Sequence, residues 1–176
     1  LWINRLALGG PADLAFGVDL VDEDGRDDGT VDLGFMVLPN AYRLERNTAA
    51  AFLEWGHAWP LGLESTLAGR LDHTEGESRA SGKFGLTRPL QSVDGRLWAS
   101  IADGFKLPSF FALGNPLFGN PDLAPEKVTR FEAGYDQRFG GGIEAGFSLF
   151  ASEYEDLVDF DFETFTNINR GRVDIN

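Results

Sequence analysis

Apolar and polar residues alternate strictly along several segments of this chain, and the charges fall on only one side of the alternation. In one segment Leu63, Leu67 and Leu71 share a face, whereas Arg70 and Asp72 share the other. A period of two places successive side chains on opposite faces of a β-strand. The pattern therefore predicts strands that separate an apolar environment from a hydrated one.

The same alternation recurs on both sides of a long, proline-containing loop, residues 104–127. The apolar positions are Leu97, Ala99 and Ile101 before the loop, and Phe131, Ala133 and Tyr135 after it. Charged and polar residues fill the positions between them. Two consecutive strands that pair with each other run antiparallel. The loop therefore joins two neighbouring antiparallel strands at one end of a sheet.

The connections between the predicted strands alternate in length. Short turns are expected at 9–13, 60–62, 90–95 and 139–142, and long polar connections at 22–46, 73–79, 104–127 and 153–166. Transmembrane barrels show this asymmetry, with tight turns at one membrane surface and long loops at the other. We therefore expect Trp59 and Phe139, which lie beside short turns, at a membrane boundary, where aromatic rings are favoured.

The predicted fold class is all-β, a transmembrane antiparallel up-and-down β-barrel, of which this chain supplies a partial barrel of about 8–9 strands that form an open curved sheet. A Lys or Arg that faces lipid at mid-membrane costs about 2–4 kcal/mol, so the charged faces must point into a hydrated lumen. A soluble β-sandwich also needs one apolar face, so alternation alone leaves that fold open.

Composition narrows the function classes. The formal net charge of −13 argues against nucleic acid as a partner, since nucleic-acid binding needs a basic face. The chain contains no cysteine, which excludes disulfides and thiolate metal sites. No apolar run reaches the roughly 18 residues that a membrane helix requires. The chain begins at Leu1 and ends at Asn176, just after an apparent strand start, so we expect a fragment of something larger.

Few residues suggest chemistry. His57 and His73 lie on different predicted strands without a third ligand type, so no metal site is expected. The acidic run at 22–28 does not match the spacing of a calcium-binding loop and reads as a solvated connection. The sequence has no nucleophile elbow, phosphate-binding glycine loop or dinucleotide fingerprint. We therefore expect no catalytic residues, no cofactor and no enzyme activity.

Four phenylalanines on the long loop are the best candidates for binding. Exposed aromatic rings are unfavourable in water and signal either packing among loops or contact with a ligand, and the sequence leaves both readings open. Phe105 lies at a strand end, which favours packing. Phe110, Phe111 and Phe118 are the candidate ligand contacts.

Three motifs in sequence order carry a family resemblance. They are Gly104-Phe105-Lys106-Leu107-Pro108, then Gly119-Asn120-Pro121-Asp122-Leu123-Ala124-Pro125-Glu126, then Phe131-Glu132-Ala133-Gly134-Tyr135. Over about residues 50–172 the chain resembles the TonB-dependent outer-membrane receptor family. Members have barrels of about 22 strands. Because a TonB box, a plug domain and a barrel-closing terminal aromatic residue are not recognisable, residues 1–176 are expected to be a fragment of the barrel domain.

The resemblance implies a location in the bacterial outer membrane and contact with its lipid. It also implies import of a scarce nutrient chelate, which would be a siderophore, cobalamin, haem or an oligosaccharide. TonB would supply the energy through the missing plug domain. Two alternatives stay open, a passive outer-membrane porin or adhesin-type barrel, and a soluble β-sandwich binding module.

Overall fold

The computed structural model describes residues 1–32 and 34–176, most of which lie in β-strands. The strands are β1 (Trp2–Ala7), β2 (Ala12–Asp32), β3 (Val37–Ala58), β4 (Glu64–Thr74), β5 (Glu77–Leu90), β6 (Gly95–Lys106), β7 (Glu126–Phe139), β8 (Ile143–Glu155), β9 (Leu157–Asp161), β10 (Thr166–Arg170) and β11 (Val173–Ile175). One α-helix, α1 (Phe110–Gly114), and a 3₁₀ turn (Pro60–Gly62) complete the elements. Among the described residues no helix is long and apolar enough to cross a membrane.

Nine strands form one open antiparallel sheet in the order β1-β2-β3-β4-β5-β6-β7-β8-β11. Each strand pairs with its neighbour along the sheet, and the small β9–β10 pair stands apart as a second, two-stranded sheet. This arrangement confirms the all-β, up-and-down fold class and the expected number of strands in an open sheet. The 3₁₀ turn and the three-residue connection 140–142 lie at the same end of the sheet.

The register places apolar residues opposite one another across the whole sheet. One continuous row of directly paired residues consists of Leu6, Leu14, Trp55, Leu67, Phe84, Ile101, Phe131 and Ala151. Leu67 is 49% exposed and Phe84 is 42% exposed, so nothing in the described chain covers this face. The row therefore forms the apolar surface that the alternation predicted.

The row on the opposite face, shifted by one residue, carries charges. It consists of Arg5, Ala15, Glu54, Ala68, Lys83, Ala102, Arg130 and Ser152. Nearby on this face the Arg70 guanidinium donates to Asp72 at 3.0 Å and to Asp19 at 3.3 Å. The charges on this face are thus paired with one another, as the alternation predicted for the polar side of the strands.

The sheet has almost no core of its own. Within the described ranges Ala50, Ala112 and Leu123 are the buried hydrophobic residues, and no large side chain is fully buried. A soluble β-sandwich would cover the Leu67 row with a second sheet about 10 Å away. The nine-stranded sheet has no such partner among residues 1–32 and 34–176, so the sandwich alternative does not fit the fold.

The expected short turns are correct, but the expected long connection at 73–79 is wrong. β4 ends at Thr74 and β5 begins at Glu77, so Glu75 and Gly76 form a two-residue hairpin turn. Both residues have positive φ, 53° and 85°, as a type I′ turn requires. The polar composition around the turn suggested a loop, although the two strands continue to pair through it.

The expected connection at 22–46 is also wrong, because it contains long strand extensions. β2 continues to Asp32 and β3 begins at Val37, and the two stay paired along their full length. We call the part of the sheet in which apolar and polar residues alternate the apolar band. At about 3.3 Å per residue, the part of β2 after Asp22 extends roughly 30 Å along the strand beyond this band. Charged side chains lie on both faces of this hairpin, for example Glu23 on one and Asp24 on the other, so the hydrophobic alternation that predicted the other strands is missing here. Backbone pairing and cross-strand charge pairs such as Arg43–Asp24, at 3.4 Å, hold it instead.

The last connection, 153–166, is also more ordered than expected. The strand expected to start near the end of the chain is present as β10 (Thr166–Arg170), but it pairs with β9 in the separate hairpin and not with the large sheet. The next strand of the large sheet is β11 (Val173–Ile175), which pairs with β8. The alternating asparagines of this segment serve contacts among loops, and their period of two resembled that of a barrel strand.

We predict that Leu67→Arg destabilises the folded protein by about 2–4 kcal/mol, because the guanidinium would face hydrocarbon. The matched control is Ala68→Arg on the same strand, whose side chain points to the charged face opposite Glu54. Denaturant titration of the full-length protein folded into lipid vesicles measures both variants. Equal destabilisation by the two substitutions would contradict the assignment of the faces.

Candidate functional site

The connections at one end of the sheet gather into a single layer. We call residues 21–32 and 37–47 the tall hairpin, residues 107–125 the cross-loop, and β9 with β10 the small hairpin. α1, at the start of the cross-loop, packs against β2 and β3. The cross-loop also reaches the small hairpin, to which it is hydrogen-bonded. This layer contains all three phenylalanines that the sequence singled out.

The cross-loop is shaped by its own polar side chains. Ser109 caps α1, since its hydroxyl accepts a hydrogen bond from the Ala112 backbone N–H at 3.1 Å. Asn120 accepts one from the Asp122 N–H at 2.9 Å, which closes the Asx-turn that its place before Pro121 favours. The proline-rich motif therefore builds a fixed loop conformation.

Phe110 inserts against the tall hairpin. A Cβ atom on Gly25 would lie 2.1 Å from the Phe110 ring, so no larger residue fits at this position without displacing the ring. The Arg46 guanidinium lies 4.8 Å from the centroid of the same ring. Arg46 also donates to the Pro108 carbonyl oxygen at 3.0 Å. Phe110 is thus held between the space left by Gly25, which we call the glycine notch, and the cation–π contact with Arg46.

An ion pair between Arg46 and Glu23 orients the guanidinium that contacts Phe110. Arg46 donates two hydrogen bonds to the Glu23 carboxylate, at 2.8 and 3.2 Å, and its side chain is only 10% exposed. The hydrogen bonds from Arg46 hold the pKa of Glu23 below its usual value near 4.5. Both residues lie beyond the apolar band. The pair therefore keeps Arg46 oriented toward Phe110.

Phe118 packs against the small hairpin. Its ring meets Phe160 edge to face at 5.6 Å, and Phe160 in turn contacts Phe162 at 5.1 Å and Phe165 at 6.2 Å. Phe162 is 77% exposed and Phe165 is 62% exposed. The loop and hairpin together present an aromatic cluster to solvent. Edge-to-face contacts of this kind are favourable beyond the area that they bury.

The structure separates the three predicted contacts. Phe110 and Phe118 are half-buried against different hairpins, whereas Phe111, on α1, is exposed. Phe105 lies on β6, where the Arg79 guanidinium is 6.0 Å from its ring centroid. Packing thus accounts for the positions of Phe110 and Phe118. Phe111 offers the freest aromatic surface of the three.

Sequence reasoning missed the aromatic cluster of the small hairpin. Its members Phe160, Phe162 and Phe165 lie within six residues of one another, inside the long connection expected at 153–166, and none of them was named as a candidate contact. Asp161 caps the turn between them by accepting from the Thr164 hydroxyl at 2.7 Å. Closely spaced phenylalanines in a polar segment were the signal that could have revealed this cluster.

The described residues contain no group of three or more His, Cys, Asp or Glu side chains placed to hold a metal ion. His57 packs between Trp55 and Trp59, with ring centroids 5.3 and 4.3 Å away. His73 faces Ser78, at 3.0 Å from its hydroxyl. The two histidines thus belong to separate surroundings. The chemistry that this layer offers is contact with a ligand through aromatic rings and amides.

A family profile described as TonB dependent receptor-like, beta-barrel matches residues 2–176. Among curated proteins, the chain is 25% identical over 159 residues to the iron-regulated outer membrane virulence protein of Vibrio cholerae serotype O1. That alignment covers 82% of this chain and 23% of the relative. The same degree of similarity is found for the protein of two strains of this serotype.

Solved structures show the same fold. A mutant of the ferric enterobactin receptor of Pseudomonas aeruginosa, in complex with enterobactin, superposes with a TM-score of 0.79 at 17% identity and covers 98% of this chain. The siderophore receptor PirA of Acinetobacter baumannii gives 0.72 at 16% identity over 97% of this chain. The copper transporter OprC gives 0.73 at 17% identity over 94%.

The chain spans about a quarter of the length of the curated relatives and about a third of these structures, 23% and 31% respectively. The similarity therefore concerns one sector of a larger barrel.

We predict that Gly25→Ala displaces Phe110 and loosens the cross-loop, because the added Cβ overlaps the ring. Overpacking of this kind costs about 1–3 kcal/mol. The matched control is Gly69→Ala on β4, where an added Cβ would meet no atom within 4 Å. Limited proteolysis within residues 107–125 should be faster in the first variant only, and identical cleavage rates would contradict the notch.

We predict that acid loosens the contact between the tall hairpin and the cross-loop. The folded-state pKa of Glu23 is lowered, so its pairing with Arg46 is fully present above about pH 4.5 and is lost as the pH falls through the lowered pKa. A nitroxide at Ala41 should report greater hairpin mobility by electron paramagnetic resonance in that range. Glu23→Gln should be mobile already at pH 7 and should lack this transition; a wild-type spectrum unchanged to pH 2 would refute the prediction.

Proposed function

We propose, from the premise that this chain belongs to the TonB-dependent receptor β-barrel family, that it forms part of a receptor that imports a scarce nutrient chelate with energy from TonB. The single observation that carries the proposal is the family match over residues 2–176, nearly the whole chain. The protein is located in the outer membrane, as the family and the Vibrio cholerae relative indicate. It belongs with transport receptors and is not an enzyme.

The described sector contributes a wall and a layer of loops. We assign residues 1–176 to the barrel domain and propose that its outward Leu67 row contacts outer-membrane lipid. The charged row that contains Lys83 and Glu54 faces the lumen, where a plug domain that interacts with TonB would lie in the whole protein. In this proposal the wall is passive and the plug responds to TonB.

The loop layer is proposed to gather the nutrient. Phe110, Phe111 and Phe118 remain our candidate ligand contacts, and Phe111 is the most accessible of them, at 48% exposure. Aromatic rings suit a siderophore, cobalamin or haem, and they also stack on the apolar faces of an oligosaccharide. The structural neighbours are named for ferric enterobactin, for a siderophore and for copper. At 16–18% identity they support the shared fold and leave the nutrient class broad.

Uptake assays test the proposal directly. Deletion of the gene should abolish high-affinity uptake of one compound from a labelled panel of ferric siderophores, cobalamin, haem and oligosaccharides. Deletion of TonB in the wild-type background should abolish the same uptake. Uptake that continues without TonB would instead identify the passive porin-type barrel, and deletion without effect on the whole panel would reject nutrient import.

We predict that Phe111→Ala weakens binding of the imported compound about tenfold, because a buried aromatic contact contributes about 1–1.5 kcal/mol. Phe111→Tyr keeps the ring and should bind like the wild type. The matched control is Phe139→Ala, since Phe139 is equally exposed, at 48%, but lies at the other end of the sheet. Binding is measured by equilibrium titration at equal receptor amounts; unchanged affinity in Phe111→Ala would remove Phe111 from the contacts.

A further inference from the structure

Asparagine side chains form hydrogen bonds between the cross-loop and each of the two hairpins beside it. Asn115 is 4% exposed and Asn167 is 9% exposed, although both lie in the solvent-exposed loop layer. Asn115 bonds to the tall hairpin and Asn167 belongs to the small hairpin. A buried amide is costly unless its donors and acceptors are used, so these two residues favour one particular arrangement of the layer.

The orientation of the Asn115 amide follows from its partners. Its Oδ1 accepts hydrogen bonds from the backbone N–H groups of Leu117 and Phe118, at 2.9 and 3.0 Å. Because an amide nitrogen cannot accept, Oδ1 must face those groups and Nδ2 must face the tall hairpin. There Nδ2 donates to Asn40 Oδ1 at 2.5 Å, and Asn40 Nδ2 donates to the Asp27 carboxylate at 2.9 Å. The carboxylate can only accept, so every orientation in this relay is determined.

The other side of the cross-loop is bonded to β10. Asn167 donates from Nδ2 to the Phe118 carbonyl at 2.8 Å, and its backbone N–H donates to the same oxygen at 2.9 Å. Two residues along the strand, Asn169 accepts from the Ala124 N–H at 2.8 Å and donates to the Ala124 carbonyl at 2.9 Å. The amide of Asn169 thus pairs with a peptide group as a neighbouring strand would. The small hairpin and the cross-loop are joined along several residues.

The cross-loop contacts two hairpins that are not neighbours in the sheet. It leaves the sheet between β6 and β7, yet it contacts the tall hairpin of β2 and β3. The β4–β5 hairpin that lies between them is shorter than the tall hairpin, since it turns at Glu75 and Gly76. The cross-loop therefore passes above two strands to reach the tall hairpin. On its other side it meets the small hairpin, which follows β8.

We propose that the cross-loop is a brace, with Asn115 and Asn167 as its two positioning residues, that mechanically couples the tall hairpin to the small hairpin. The brace exists without ligand. Where the proposed function holds, a nutrient that moves one hairpin also moves the other, and Phe111 is presented at a fixed place between them. The aromatic contacts of Phe110 and Phe118 add adhesion, whereas the directional amide bonds select the arrangement.

Distance measurements in the full-length protein, without ligand, test the brace. Residues 1–176 contain no native cysteine, so nitroxide labels can be placed on cysteine pairs introduced at the exposed positions Ala41, Asp122 and Glu163, with any cysteine elsewhere in the full-length protein replaced by serine. These positions report the tall hairpin, the cross-loop and the small hairpin. Double electron–electron resonance then gives three distance distributions, 41–122, 122–163 and 41–163, each narrow in the otherwise unchanged protein.

Asn115→Asp is the sharpest variant, because it keeps the oxygen that caps Leu117 and Phe118 but removes the donor to Asn40. We expect the 41–122 and 41–163 distributions to broaden about twofold while 122–163 stays narrow. Asn167→Ala should broaden 122–163 and 41–163 and leave 41–122 narrow. This selective pattern distinguishes a brace from general loss of loop structure.

Two further variants complete the test. Asn40→Ala breaks the Asn115 bond from the tall-hairpin side without touching the cross-loop, and it should reproduce the Asn115→Asp pattern. Asn47→Asp makes the same chemical change on the exposed outward side of β3 and should leave all three distributions narrow. Narrow distributions in both Asn115→Asp and Asn40→Ala would overturn the brace, as would equal broadening of all three in either. Because no nutrient is present, this outcome is independent of whether TonB-dependent uptake is found.

Discussion

The paired backbone of the nine-stranded sheet is the constraint on which the rest of the structure depends. Hydrocarbon offers no hydrogen-bond partners, so each backbone N–H and C=O within the membrane must bond to a neighbouring strand. Once that pairing is made, register decides which side chains lie on the apolar face. A slip of one residue would exchange the Leu67 row for the row that contains Lys83 and Arg130. The apolar and charged rows therefore specify the register as well as the faces.

Above the apolar band this constraint ends, and polar contacts determine the structure. The tall hairpin continues the backbone pairing of β2 and β3, but its side chains are arranged by the Glu23–Arg46 pair and by the amide relay through Asn40. The three connections behave as one layer because these bonds run between segments that are distant in sequence. Water surrounds the layer, so each bond contributes through its direction and its burial more than through hydrophobic area.

The sequence predicted the part of the fold in which apolar and charged residues alternate along the strands. Segments such as Leu63 to Asp72 reveal strands, faces and neighbours, since a charge on the wrong side is costly there. The same reasoning failed at Asp22 to Arg46, where both strand faces carry charged residues and the alternation has no hydrophobic signal. The loop phenylalanines were visible, but their partners were not. Nothing near Phe110 in sequence indicates that Gly25 leaves room for its ring.

The two regions should accordingly respond differently to change. In the wall, the effect of a substitution depends on depth and face, because solvation by lipid or water dominates. In the loop layer, the effect depends on whether a bond between segments survives. A ligand that displaces an amide bond there leaves groups that water can satisfy, so rearrangement is less costly than in an apolar core. A loop layer held by asparagine hydrogen bonds can therefore have one defined conformation without ligand and still rearrange when a ligand binds. The strands beneath it keep their register.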